Sequence, residues 1–155
     1  MITFHSGQIS KKEETKISGL LCELIDIYSD FYITRDNIRL YLKENQELLF
    51  DSLKKGNKIA YHEEYGIAIV DGYADNAKRK YVKILAKDVK SAFKLLRVIN
   101  SNIKDTLYAK IKKKNPILQS FKNNYFEFKG SRGMEILLIR EVKYGNNVSR
   151  TKNKN

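Results

Sequence analysis

Three carboxylates stand at positions from which they could act as general bases. Glu63 and Glu64 are adjacent in a predicted turn between two strands, and Asp105 comes just before another predicted strand. A carboxylate within hydrogen-bonding distance of an amine or a hydroxyl group can remove its proton. Paired glutamates in an exposed turn are more often simply solvated, so the sequence leaves both interpretations open.

Basic residues are densest in two segments that lie far apart in the sequence. The first is Lys78-Arg79-Lys80, and the second runs from Lys110 to Lys114. Nucleic-acid-binding domains combine such charge with aromatic rings that stack on bases, and aromatic residues lie near both segments. Tyr81 and Tyr108 could line a substrate cleft. Packing within a sheet explains these tyrosines equally well. The formal net charge of +12 also suits an acidic protein surface or a phosphate-rich ligand, or it reflects a composition rich in Lys, Asn and Ile.

The sequence does not favour metal or thiol chemistry. His5 and His62 are the only histidines and Cys22 is the only cysteine, and their spacing matches no metal site. We expect Cys22, which lies among three leucines, to be a small buried apolar residue. A single cysteine cannot form an intrachain disulfide, which suits a reducing cytoplasm, or the host cytoplasm if the chain is virus-encoded.

The 155 residues are 42% hydrophobic, which is typical of one globular domain. No apolar run reaches the roughly 18–20 residues that a membrane-spanning helix needs. The N-terminus lacks the pattern of a signal peptide. We expect one domain over residues 1–142 and a basic, disordered tail over residues 143–155.

Hydrophobic periodicity divides the chain into helices and strands in mixed order. The predicted elements are helix 12–28, strand 31–35, a helix that Asp36 or Asn37 caps and Gly56 ends, strands 58–62, 65–71 and 81–86, helix 88–103, strand 106–111, helix 117–122, and strands 125–128 and 134–140. This order indicates an α/β (α+β) fold of three layers, with a mixed sheet in the middle. The first helix precedes the first predicted strand and is therefore an extra N-terminal element.

The last third of the chain carries a family resemblance. This segment resembles the C-terminal part of the fold of the general N-acetyltransferase (GNAT) superfamily. It consists of a strand from Thr106, an Asn-Pro break, a short helix, a strand, a turn and a terminal strand. From about residue 31 to 142 the predicted order resembles the GNAT fold throughout. The resemblance implies a central, mostly antiparallel and splayed sheet. It also implies acyl transfer from acetyl-coenzyme A to an amine, in a cleft between the fourth and fifth strands.

The resemblance places a cofactor site along strand 81–86 and the start of the next helix. In the family this strand pairs with the pantetheine arm through its backbone, and a glycine-rich loop then holds the pyrophosphate. Here Lys87 matches the basic first position of that loop, and Lys90 stands where its central glycine belongs. Either these lysines supply charge in place of the loop, or the segment is an ordinary helix start that Asp88 caps.

Two residues near the short helix complete this site. Asn115 matches an asparagine that GNAT enzymes place against coenzyme A, although before Pro116 it could also be only a helix cap. Phe121 occupies the position of the tyrosine that protonates the departing thiolate, and it has no hydroxyl group for that role. The implied cofactor contacts are Ile84, Leu85, Ala86, Lys87, Lys90, Ser91, Ala92, Asn115 and Phe121.

Two functions from different classes follow from the sequence. The first is a GNAT-like N-acetyltransferase that uses acetyl-coenzyme A, with Glu63, Glu64 or Asp105 as the base and a small-molecule or protein amine as the acceptor. The alternative is a catalytically inactive GNAT-like domain that binds a protein or a nucleic acid through its basic surface. Neither the acceptor nor the oligomeric state can be read from the residues.

Overall fold

The computed structural model describes residues 1–26 and 46–142, in which seven strands form one sheet and four helices cover it. The strands are β1 (Thr3–Ser6), β2 (Lys58–His62), β3 (Gly66–Asp71), β4 (Lys80–Ala86), β5 (Leu107–Lys112), β6 (Glu127–Arg132) and β7 (Glu135–Arg140). The helices are α1 (Lys11–Asp26), α2 (Gln46–Lys54), α3 (Val89–Asn102) and α4 (Leu118–Lys122). No helix in these ranges is long and apolar enough to cross a membrane.

The strands follow the spatial order β1-β2-β3-β4-β5-β7-β6, and only β4 and β5 are parallel neighbours. Their pairing consists of Lys80 with Leu107 and Tyr81 with Tyr108. β4 continues to Ala86 on β3, and β5 continues to Lys112 on β7. The two strands therefore diverge beyond the tyrosines. This confirms the predicted sheet, which is mostly antiparallel and splayed.

Each face of the sheet buries its own hydrophobic core, because alternate side chains of a strand point to opposite faces. On one face Val82 and Ile84 of β4 pack with the apolar side of α3 and with α4. On the other face Ile67 and Leu85 pack with α1 and α2. Helices thus cover both faces, and the predicted three-layer α/β architecture is confirmed.

Helix α1 begins at a capping box. The Ser10 hydroxyl accepts a hydrogen bond from the Glu13 backbone N–H at 3.2 Å, and the Glu13 carboxylate accepts one from the Ser10 N–H at 3.3 Å. Leucines at positions 20, 21 and 24 face the sheet and are buried. Cys22 falls on the opposite side of the helix and is exposed, so the prediction of a buried cysteine is wrong.

The N-terminal part of the fold differs from the predicted order. Strand β1 precedes α1 and pairs antiparallel with β2, from Thr3 opposite Tyr61 to Ser6 opposite Lys58. Helix α1 is therefore not an addition ahead of the first strand. Phe4 is the one strongly apolar residue within Thr3–Ser6, so no alternation of apolar and polar residues marks this strand. The predicted strand 31–35 and the start of the helix after Asp36 lie outside the described residues.

The first strand of the C-terminal hairpin begins and ends later than predicted, at Glu127 and Arg132 instead of residues 125 and 128. Strand β6 runs through most of the predicted turn, and Gly130 lies inside it beside a register shift. Gly133 is the turn residue, with φ of +62°, a conformation that glycine adopts without steric cost.

Candidate functional site at the divergence of β4 and β5

The gap between β4 and β5 begins at a pair of tyrosines. Tyr81 and Tyr108 lie side by side on the α1 and α2 face, with ring centroids 5.8 Å apart. One step further along this face stand Lys83 on β4 and Lys110 on β5. Because the strands are parallel, their carboxyl ends, Ala86 and Lys112, border the open end of the gap.

The three predicted pantetheine contacts lie on β4 beside this gap. Ile84 and Ala86 are buried in the core under α3, and Leu85 is buried in the core under α1. Their side chains therefore belong to the interior of the protein. A ligand in the gap would meet mainly the backbone of β4, which is the type of contact that the resemblance implies.

Asp88 caps helix α3, as one of the two sequence interpretations proposed. Its carboxylate accepts a hydrogen bond from the Ser91 backbone N–H at 2.7 Å. The hydrogen bonds to Ser91, followed by the charges of Lys90 and Lys94, lower the pKa of Asp88 below its ordinary value. Ser91 and Ala92 are buried. A carboxylate thus takes one of the helix N–H donors that the family's loop would offer to a phosphate.

The two lysines of this segment have different surroundings. The Lys87 ammonium group forms an ion pair with Glu23 of α1, and the Lys87 backbone N–H donates to the Tyr65 carbonyl at 3.0 Å. Lys90 is exposed on the first turn of α3. Lys94 lies one turn further on, with Nζ 4.7 Å from the centroid of the Tyr65 ring. The start of α3 is therefore basic, although Glu23 compensates part of the charge.

Asn115 and Phe121 both have structural roles in the described chain. The Asn115 side-chain oxygen accepts a hydrogen bond from the Ile117 N–H at 3.1 Å and so prepares the first turn of α4. Phe121 has no exposed surface and packs edge-to-face on Phe126, with centroids 5.1 Å apart. Phe121 is therefore a core residue and presents no surface to a ligand.

The structure separates the three candidate bases. Glu63 and Glu64 lie in the turn between β2 and β3, at the same edge of the sheet as Ala86. Asp105 precedes β5 at the opposite edge, roughly 20 Å away at about 3.3 Å per residue along β4. There it accepts a hydrogen bond from the Tyr73 hydroxyl group. Burial, and then this bond, raise the pKa of Tyr73. Asp105 therefore lies apart from Glu63 and Glu64, and its role as a base stays a prediction.

Glu63 also borders a cavity of about 410 Å³ between α1 and the edge of the sheet. Thr3, Tyr61 and His62 line its sheet side, and Lys16 and Glu23 belong to the helix side. The Glu64 backbone N–H donates to His62 Nδ1 at 3.0 Å, which orients the turn.

Sequence reasoning missed two buried charged groups in the sheet. Lys83 is buried and forms an ion pair with Asp71. Arg140 is buried between α3 and β5, where it donates to the carbonyl oxygens of Ile103 at 2.7 Å and Asp105 at 2.6 Å. Burial lowers the pKa of Arg140. A lysine inside an otherwise apolar strand was the available signal for Lys83, because buried lysines are almost always paired.

No group of three or more His, Cys, Asp or Glu side chains that could hold a metal ion occurs within residues 1–26 and 46–142.

Comparison with known proteins places this geometry in a known fold. No protein-family model matches the sequence, and no curated protein matches it. An N-acetyltransferase from Staphylococcus aureus Mu50 matches in structure with a TM-score of 0.56 and 12% identity, over 92% of this chain and 98% of that chain. A GNAT-family acetyltransferase from Listeria monocytogenes 4b F2365 matches with a TM-score of 0.52 and 13% identity, over 90% and 94% of the two chains. A Pyrococcus horikoshii OT3 protein matches with a TM-score of 0.51 and 13% identity, over 91% and 98%. At such identities the similarity establishes the fold, and this chain is similar in fold to the GNAT acetyltransferases.

Proposed function

We propose that this chain is a GNAT-like N-acetyltransferase that transfers an acyl group from acetyl-coenzyme A to an amine. The observation that carries the proposal is the short contact between β4 and β5. The two strands pair only at Lys80 with Leu107 and Tyr81 with Tyr108 before they diverge. An extended ligand can lie along a strand at such a gap.

The positive charge around the open end of the gap between β4 and β5 suits a polyanionic cofactor. Lys87 and Lys90 follow β4, and Lys113 and Lys114 follow β5. The Ser120 hydroxyl donates to the Val89 carbonyl at 2.9 Å, so α4 lies against the start of α3 and both basic segments border the same edge. Lysine ammonium groups can bind phosphates as point charges. The segment does not reproduce the family's glycine-rich loop, so we assign phosphate binding to side chains.

The chain's own groups have limited roles in the transfer. Acetyl-coenzyme A supplies a thioester-activated acyl group. Glu63 or Glu64 would accept the proton of the acceptor amine, directly or through water. Both are exposed and lie at the edge where β4 ends. Phe121 offers no proton, so the chain has no side-chain acid at the position of the family's tyrosine.

Calorimetric titration with acetyl-coenzyme A tests the proposal. The unsubstituted protein should bind with micromolar affinity, and a Lys87→Ala, Lys90→Ala variant should bind at least about tenfold more weakly, since each lost charge–phosphate contact is worth roughly 1.5–3 kcal/mol. The matched control is Lys55→Ala, Lys104→Ala. Both of these lysines are exposed, and both precede strands at the opposite edge of the sheet.

A catalytically inactive GNAT-like binding domain is the second candidate. The Asp88 carboxylate on the Ser91 N–H and the buried ring of Phe121 both favour it. Absence of binding at millimolar acetyl-coenzyme A would contradict the enzyme and leave this alternative. Equal weakening in the control variant would show that the measured binding is nonspecific. We further propose a cytoplasmic location, which suits a chain that cannot form an internal disulfide.

A further inference from the structure

The two basic clusters of the sequence come together on one face of the sheet. Arg79 belongs to the first cluster, and its guanidinium carbon lies 4.6 Å from the ring centroid of Tyr108 on β5. Lys110 belongs to the second cluster, and its Nζ lies 5.1 Å from the ring centroid of Tyr81 on β4. Each cation therefore covers a tyrosine of the other strand. We call these four residues the tyrosine–cation patch.

Strand alternation explains why these particular residues meet. Tyr81 and Tyr108 are partners in the β4–β5 register, and Arg79 and Lys110 are each two positions from one of them, so all four share a face. Lys80 lies between Arg79 and Tyr81, and its ammonium group is directed instead to the Ala77 carbonyl and the Tyr73 ring. Arg79 is thus the member of the first cluster that belongs to the patch.

The patch retains its positive charge. Lys83, on the same face, is neutralised by its ion pair with Asp71. Arg79 and Lys110 form no ion pair within the described ranges, and their described contacts are with tyrosine rings. Arg79 is exposed and Lys110 is half-buried, so both are accessible to a ligand on this face.

We propose that the tyrosine–cation patch binds single-stranded nucleic acid. The two cations can contact phosphates, and the two half-buried rings, with centroids 5.8 Å apart, offer aromatic surface on which bases can stack. Charge complementarity is the basis for this ligand, together with the net charge of +12. The patch adjoins the start of the gap between β4 and β5, but the proposal does not require acyl transfer.

Fluorescence anisotropy with a labelled single-stranded oligonucleotide tests it. Affinity should fall steeply with added salt. An Arg79→Ala, Lys110→Ala variant should bind at least about tenfold more weakly at low salt, and its slope of log K against log salt should decrease by about 1.4, at about 0.7 per phosphate contact. The matched control is Arg97→Ala, Lys122→Ala, which removes the same charges from α3 and α4 on the other face. Arg97 also lies over an aromatic ring, that of Phe93, at 5.8 Å.

Two substitutions of Tyr108 distinguish the contribution of stacking from that of charge. Tyr108→Leu should weaken binding about tenfold, whereas Tyr108→Phe, which keeps the ring, should stay close to the unsubstituted protein. Circular dichroism spectra of every variant verify that it is folded. Equal losses in the patch and control variants would overturn the proposal. So would binding of an acidic peptide at the patch without any binding of the oligonucleotide.

Discussion

Gly66 is the position where a single methyl group should do the most damage to the candidate site. It pairs with Ala86 at the end of β4 and has φ of +122°, a conformation that residues with a side chain rarely adopt. A Cβ atom there would lie 2.9 Å from the Ala86 Cα and closer still to the Leu85 carbonyl oxygen. Both are backbone atoms, so relief requires β4 itself to move.

The expected loss of stability is the sum of a conformational and a steric contribution. An unfavourable backbone conformation costs about 1–3 kcal/mol, and overpacking against a rigid neighbour costs about 1–3 kcal/mol more. We expect Gly66→Ala to lower the free energy of unfolding by about 4 kcal/mol. For a chain of this length that corresponds to a decrease in Tm of about 8–16 °C.

Urea and thermal unfolding followed by far-UV circular dichroism measure this change. Gly130→Ala is the matched control, because Gly130 lies in a strand, its φ is not positive and a Cβ there would meet no atom within 4 Å. We expect it to change the free energy of unfolding by less than about 1 kcal/mol. If Gly66→Ala were as mild as Gly130→Ala, the close approach of β3 and β4 at Ala86 would be wrong.

Two further substitutions test the hydrogen bonds at the two ends of helix α3. Asp88→Ala should lower the free energy of unfolding by about 1 kcal/mol at pH 7, because it removes the cap of α3. The hydrogen bonds of Asp88 lower its pKa in the folded state, so the ionised carboxylate stabilises the fold above its ordinary pKa of 3.8. That stabilisation is lost as the pH falls below 3.8 through the folded-state pKa, so the difference from the unsubstituted protein should shrink in urea titrations at acidic pH. Arg140→Met should cost about 3 kcal/mol, because it leaves the Asn100 side chain and two carbonyl oxygens without their donor. Equal denaturation midpoints for Arg140→Met and the exposed-site control Arg132→Met would contradict this role.

Local features of the sequence were sufficient to predict most of the fold. The helix that Asp88 caps and the strands from 58 to 86 depend on hydrophobic spacing, capping and turn residues, which are properties of neighbouring positions. The structure has them close to the predicted bounds. β1 escaped prediction because Phe4 is its one strongly apolar residue, and its stability comes from pairing with β2, more than fifty positions away.

The candidate site was harder to predict, because its members are brought together by strand register. Asp105 and Glu63 looked equivalent as loop carboxylates, and only the sheet places them at opposite edges. Phe121 matched a family position, but its surroundings are those of a core residue, which sequence spacing alone does not reveal. The same register brings Arg79 next to Tyr108 and Lys110 next to Tyr81.

Residue types and local spacing were enough to predict the order of the elements from 46 to 142, Asp88 as a possible cap, the absence of a hydroxyl group at 121 and the positive charge. These depend on residue type and on contacts a few positions apart. The folded sheet was needed to show where β4 and β5 diverge, which lysines are neutralised and which remain available, and which carboxylates lie at the same edge. Those depend on long-range pairing and burial, which join residues whose separation in sequence carries no local signal.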